Sequence, residues 1–152
     1  MNNLDSLTEV MATEAELAER LVDVIKQQQR ALVACNAEAV AATVEQQQEL
    51  MMPLEGLEQE RERVTREVLS TLAPERVAED KPVTFSALLE YLDADEASRL
   101  SKAGRRLLAA METMMKVNQA NQFLIEHSRK FVRETLRIVT NGYARQLVDR
   151  KI

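Results

Sequence analysis

From Glu96 to Asn141 the chain has no proline and a single glycine, Gly104, and its apolar residues fall on two helical stripes. One stripe runs Leu107, Met111, Met114, Ile125, Val132, Val139. The other runs Val117, Leu124, Phe131, Ile138 at a spacing of seven. A helix packed on one side needs one stripe, so the second is surplus. At about 1.5 Å per residue this segment spans roughly 70 Å, more helix than the rest of a 152-residue chain can cover. The surplus points to a binding protein before an enzyme.

The remainder of the sequence is also helical in character. Glycine and proline number three each and aromatics make up 3% of the residues, so the core must be built from Leu, Val, Ile, Ala and Met. A repeat of three and four through Leu4, Leu7, Met11, Ala18, Leu21, Ile25 and Leu32 predicts a first helix over Leu4–Leu32, with Asp5 or Ser6 as its cap. Ala34-Cys35-Asn36 reads as a turn, with Asn36 capping a second helix over Ala37–Leu72. Val40, Val44, Gln47, Met51, Leu54, Arg61, Val64, Val68 and Leu72 form that helix's expected inner face. Its apolar phase is unchanged across Pro53, which predicts a kink and not a break. Ala73–Pro82 reads as a loop, and Phe85–Leu92 as a short helix closing one end of the bundle. Asp93 or Asp95 starts the last long helix, and Asn141-Gly142 reads as its C-terminal cap.

The expected fold is therefore all-α: an antiparallel bundle of three long helices plus one short helix, with a mobile C-terminal tail. The expected division is a bundle over 1–142 and a basic tail over 143–152.

The formal charge is −5, which does not favour nonspecific nucleic-acid binding. From Arg129 to Lys151, seven basic residues stand against Glu134 and Asp149, a balance of +5 that leaves −10 on the rest. A basic arm on an acidic body suits a partner, and it also suits a helix C-terminus complementing its own dipole. A single cysteine, Cys35, excludes an internal disulfide and agrees with a reducing compartment. No secretory signal or membrane-spanning run is visible, so cytoplasmic residence is expected.

Catalytic constellations are missing. There is one His and one Cys, in different predicted elements, so no nucleophile–base pair can be assigned. Leu124 stands three residues before His127, where a carboxylate-bridged di-iron bundle needs Glu. Zinc ligands and a glycine-rich phosphate loop are also lacking. No enzyme, metal or cofactor is expected. Met111, Met114 and Met115 read as core filling. Asn118 and Asn121 continue the Met111–Met114 stripe. Gln28 and Gln47 either meet them in one polar layer, or all of these residues are wet.

Two segments carry a resemblance. Glu45 to Arg61, ending in Leu57-Glu58-Gln59-Glu60-Arg61, resembles the second-helix signature of the FlgN-type flagellar export chaperones. Asn118-Gln119-Ala120-Asn121-Gln122-Phe123-Leu124-Ile125 resembles that family's Asn-x-x-Asn-x-x-Leu-Leu/Ile element. The resemblance implies a cytoplasmic, non-enzymatic chaperone. It would bind the hook–filament junction proteins FlgK and FlgL, keep them unassembled, and deliver them to the export gate protein FlhA. It places client binding on the C-terminal helical part: Val117, Leu124, Phe131, Val132, Leu136, Ile138 and Val139. Tyr143 and Arg145 are the gate-docking candidates, although the family's Tyr-Gly is inverted here to Gly142-Tyr143. Self-association without client, a structural homo-oligomeric coiled coil and a different secretion adaptor remain alternatives.

Overall fold

A computed structural model describes residues 2–78 and 84–151, apart from the side chains of residues 78, 131, 132, 135, 143, 144 and 146–151. Five helices lie among the described residues: α1 (Asn3–Val33), α2 (Ala37–Leu72), α3 (Pro74–Ala78), α4 (Phe85–Leu89) and α5 (Ala94–Lys151). The all-α bundle of three long helices is as expected. The segment expected as a loop before Pro82 contains the one-turn helix α3, and its later part lies outside the described residues.

Caps set the boundaries. α1 starts earlier than expected because Asn2, not Asp5 or Ser6, is its cap; the Asp5 N–H donates to Asn2 Oδ1 at 2.8 Å. Asn36 Oδ1 accepts from the Ala39 N–H at 3.1 Å, as read from the sequence. Thr84 caps α4, and Asp93 accepts from the Glu96 N–H at 2.8 Å to cap α5. α2 stays helical through Pro53. α5 does not end at Asn141-Gly142: its helix runs on to Lys151, and no described glycine adopts the positive φ that the expected cap requires.

Helix α1 is the central element. It packs along both α2 and α5, whereas α2 and α5 have no comparable contact with each other. Asp5 pairs with Arg99, Glu19 with Arg106, and Gln28 with Asn121, so α1 and α5 run parallel. Glu14 pairs with Arg61, and the chain turns back between α1 and α2, so α2 is antiparallel to both.

At the start of α1 all the long helices converge. Leu4, Leu7 and Met11 pack with Val64, Val68, Leu69, Leu88 and Leu100, and Phe85 and Leu92 close over them. This is the end-capping role expected of the short helix. The glycine at 104 permits that closure, since a Cβ there would stand 2.7 Å from Phe85 Cζ. Higher up the core thins to Ala15, Ala18, Leu107 and Ala110, with Leu54 and Met114 against them.

That thinning overturns two expectations. Only Thr43, Val64, Val68 and Leu69 of α2 are buried, so the inner face expected from Val40 to Met51 is mostly open. Met111 and Met115 are exposed and only Met114 is half-buried, so the methionines line an open cleft instead of filling a core. The cause is that α5 follows α1 and leaves α2 to diverge.

Glu14 lies in this thin region, its carboxylate 7% exposed and 2.8 Å from Arg61 Nε. Burial pushes its carboxyl above the usual range, and Arg61 only partly offsets this. An acid whose pKa rises on folding is penalised when charged. The penalty is fully present above the raised pKa and disappears as pH falls towards the ordinary carboxylate range. Glu14→Gln is therefore expected to leave the neutral-pH melting temperature unchanged or raised, with the difference from wild type shrinking as the solution is acidified. Arg61→Ala strands the buried carboxylate and should cost about 1–3 kcal/mol at neutral pH. Thermal melts from neutral to acidic pH check both.

Candidate functional site

The site follows from unequal helix lengths. α1 ends at Val33 beside Ala120, Phe123 and Leu124 of α5, and α5 continues for residues 126–151, about 39 Å of helix. Every described side chain from Glu126 onward is exposed.

At the junction lies an apolar groove of about 580 Å³, lined by Gln29, Arg30, Val33 and Ala34 of α1's end and by Ala120, Phe123 and Leu124 of α5. Phe123 is 66% exposed and stacks on His127 with ring centroids 5.8 Å apart. His127 is thus an exposed neighbour of the groove. Phe123 was missed because it sits off both heptad stripes. Its one sequence signal was a bulky aromatic in a chain with few of them.

Two features shape the groove floor. The chain leaves α1 through a left-handed residue, Cys35, at φ 52°. The Asn36 N–H donates to the Ala31 carbonyl and the Cys35 N–H to the Leu32 carbonyl, a Schellman closure. Glycine normally takes this position, so the cysteine is strained. The second feature is Asn121, 2% exposed on the α1-facing side of α5. Its Nδ2 donates to the Ile25 carbonyl at 3.1 Å and to Gln28 Oε1 at 3.2 Å. The polar layer therefore exists through Asn121 and Gln28, whereas Asn118 is exposed. Asn121 Oδ1 and Gln47 Nε2 are buried without a partner among the described residues.

The expected client residues separate. Val117 and Leu124 are half-buried beside α1. Leu136, Ile138 and Val139 stand open on the arm at 61%, 67% and 63% exposure. Phe131, Val132 and Tyr143 have side chains outside the described residues. Arg145 is exposed, as are Arg129, Lys130, Arg133 and Arg137, which makes the arm basic as well as apolar. Such a surface can receive an amphipathic helix by burying large apolar side chains at roughly 1.5–3 kcal/mol each.

No group of three or more His, Cys, Asp or Glu side chains able to hold a metal occurs among the described residues. No described helix is long and apolar enough to cross a membrane.

The turn yields a direct test. Cys35→Gly relieves the left-handed strain, and stability should rise by about 1 kcal/mol. A thermal melt measures it.

Comparison with known proteins gives one match. The family model described as FlgN protein matches residues 1–147. No curated protein and no solved structure matches the chain.

Proposed function

The chain belongs to the FlgN family, and on that premise we propose that this flagellar export chaperone captures FlgK- and FlgL-type hook–filament junction proteins in the cytoplasm and hands them to the FlhA export gate. The observation that carries this reading is the overhang of α5: an apolar groove at Phe123 and Leu124 that leads onto an arm with Ile138 open to solvent. An amphipathic terminal helix of the client lies in the groove and along the arm. Its own assembly surface is thereby masked, which keeps the subunit from polymerising early. No reaction is catalysed; the work done is binding and release.

Burying Phe123, Leu124, Ile138 and a neighbour contributes a gross 6–12 kcal/mol at roughly 1.5–3 kcal/mol each. Association and ordering remove much of it. Micromolar to nanomolar binding is what remains.

Phe123→Ala combined with Ile138→Ala is expected to weaken FlgK and FlgL binding at least tenfold, about 1.4 kcal/mol. The free protein's melting temperature should barely change, because both side chains are more than half exposed. Titration calorimetry decides the point: unchanged affinity in the folded double variant removes the groove from the client site.

Gate docking is assigned to the end of the arm, around Tyr143 and Arg145. Truncation after Asn141 should leave the bundle folded and client affinity within about threefold. FlhA capture should fall, with a salt-sensitive part from the arm's exposed charges, which are screened over about 8–10 Å at physiological ionic strength. Pull-down of client and of FlhA by intact and truncated protein separates the two roles. Lost client capture with retained gate capture would reverse them.

A further inference from the structure

Helix α5 carries a second apolar face, distinct from the groove. Five large apolar side chains that the bundle leaves more than half exposed fall on it: Leu108, Met111, Met115, Leu136 and Val139. They occupy two rows of a heptad repeat. Leu108, Met115 and Leu136 lie in one row with Gln122 and Arg129 between them. Met111 and Val139 lie in the other with Asn118, Ile125 and Val132. Phe123, Leu124 and Ile138 belong to neither row. Two rows offset by three and four residues over this length are the pattern of a coiled-coil seam.

The seam reads the same from both ends. Leu108 and Val139 stand equally far from the bond between Phe123 and Leu124, and so do Met111 and Leu136. Met115 and Val132 are matched in the same way by sequence position. The polar positions match too: Asn118 with Arg129, and Gln122 with Ile125. Two copies of α5 laid antiparallel about a two-fold axis at that bond place each matched pair in one layer. An unrelated partner imposes no such symmetry on the surface it meets. Self-complementary spacing is what an isologous contact between identical chains requires.

Charge and space agree. Glu112 and Arg133 are exposed on the same flank of the seam. In the antiparallel register Glu112 of one copy comes within about 3 Å along the axis of Arg133 of the other, and this occurs twice by symmetry. Met111 also lines the cleft that α2 and α5 leave between them, beside Met51 and Leu54, with Glu55 and Glu58 at its edge. The arm that would enter this cleft carries Arg133 and Arg137. A second copy's arm therefore supplies the fourth helix that this part of the bundle lacks, apolar row against methionines and basic flank against acidic rim.

We propose that this chain forms a two-fold homodimer through antiparallel pairing of α5 from Leu108 to Val139, with the arm of each copy seated in the methionine-lined cleft of the other. The inference rests on the spacing and exposure of these residues and not on the identity of the client. The groove at Phe123 and Leu124 stays open in the dimer.

The test is the solution mass of the full chain by sedimentation equilibrium across micromolar concentrations, with helicity followed in parallel. Wild type is expected at twice the monomer mass. Leu136→Glu sets a carboxylate against Met111 in two layers, and the dissociation constant should rise at least tenfold with helicity unchanged. Met111→Lys combined with Leu136→Glu places opposite charges in those same layers and should restore the dimer. In a parallel pairing each residue meets its own copy, and the double variant would not recover. A monomeric wild type, a Leu136→Glu variant that still dimerises or loses helicity, or a double variant that stays monomeric each overturns the proposal. A monomeric wild type whose Leu136→Glu variant loses client capture would assign this face to the client instead.

Discussion

Helix α1 is 31 residues long and α5 is 58, and most of what is distinctive in this molecule follows from that inequality. α1 holds the bundle together: it contributes a nearly unbroken buried stripe, and both other long helices pack on it instead of on one another. Where α1 ends, at Val33, cover for α5 ends with it. The apolar groove opens at that step and the exposed arm begins there. A longer α1 would bury Phe123 and remove the groove. A shorter α5 would leave nothing to bind with.

Because the apolar packing between α1 and α5 relies on small residues such as Ala15, Ala18 and Ala110, it fixes the sliding of one helix along the other only weakly. Polar contacts supply the missing register. Asn121 reaches the backbone carbonyl of Ile25 and the amide of Gln28, and a slip by one residue would leave a buried amide unsatisfied at about 1–3 kcal/mol. Glu19 and Arg106 form a two-point ion pair lower down, and Arg106 holds the Glu19 carboxyl below the usual range. Being exposed, that pair adds little stability, but its geometry agrees with the same register. The two segments that carry the family resemblance thus divide by task. Arg61 and Asn121 hold helices in place, while Phe123 and Leu124, in the same element as Asn121, face the groove.

Much of this was legible in the sequence, for reasons that can be traced residue by residue. The caps at Asn36 and Asp93, the limits of α2 and the closing role of Phe85–Leu92 rest on local chemistry, and local chemistry decided them. The polar layer at Gln28 and Asn121 was visible because polar residues interrupt apolar stripes there. What escaped depended on how helices diverge. Periodicity reports that Met111 and Val44 lie on a face; it does not report whether a neighbour arrives to cover that face. Here α2 turns away, and residues with core-like spacing line a cleft. The end of α5 was misplaced for a related reason. Asn141-Gly142 is a sound stop signal, but a glycine can also continue a helix at a cost of about 1 kcal/mol, and the backbone at Gly142 is helical.

The two exposed faces of α5 differ in a way that bears on reversibility. The groove face is short and lined almost wholly by apolar atoms at the step between helices, a form suited to one client helix held firmly. The seam face is long, yet its middle is polar, with Asn118, Gln122 and Arg129 where a permanent coiled coil would carry leucine. Polar residues at such positions specify register and lower stability together. A chain that must present its arm to a partner cannot lock that arm irreversibly against another copy of itself. The polar centre of the seam answers that requirement: apolar layers near each end select the antiparallel mate, and the middle keeps the contact weak enough to part.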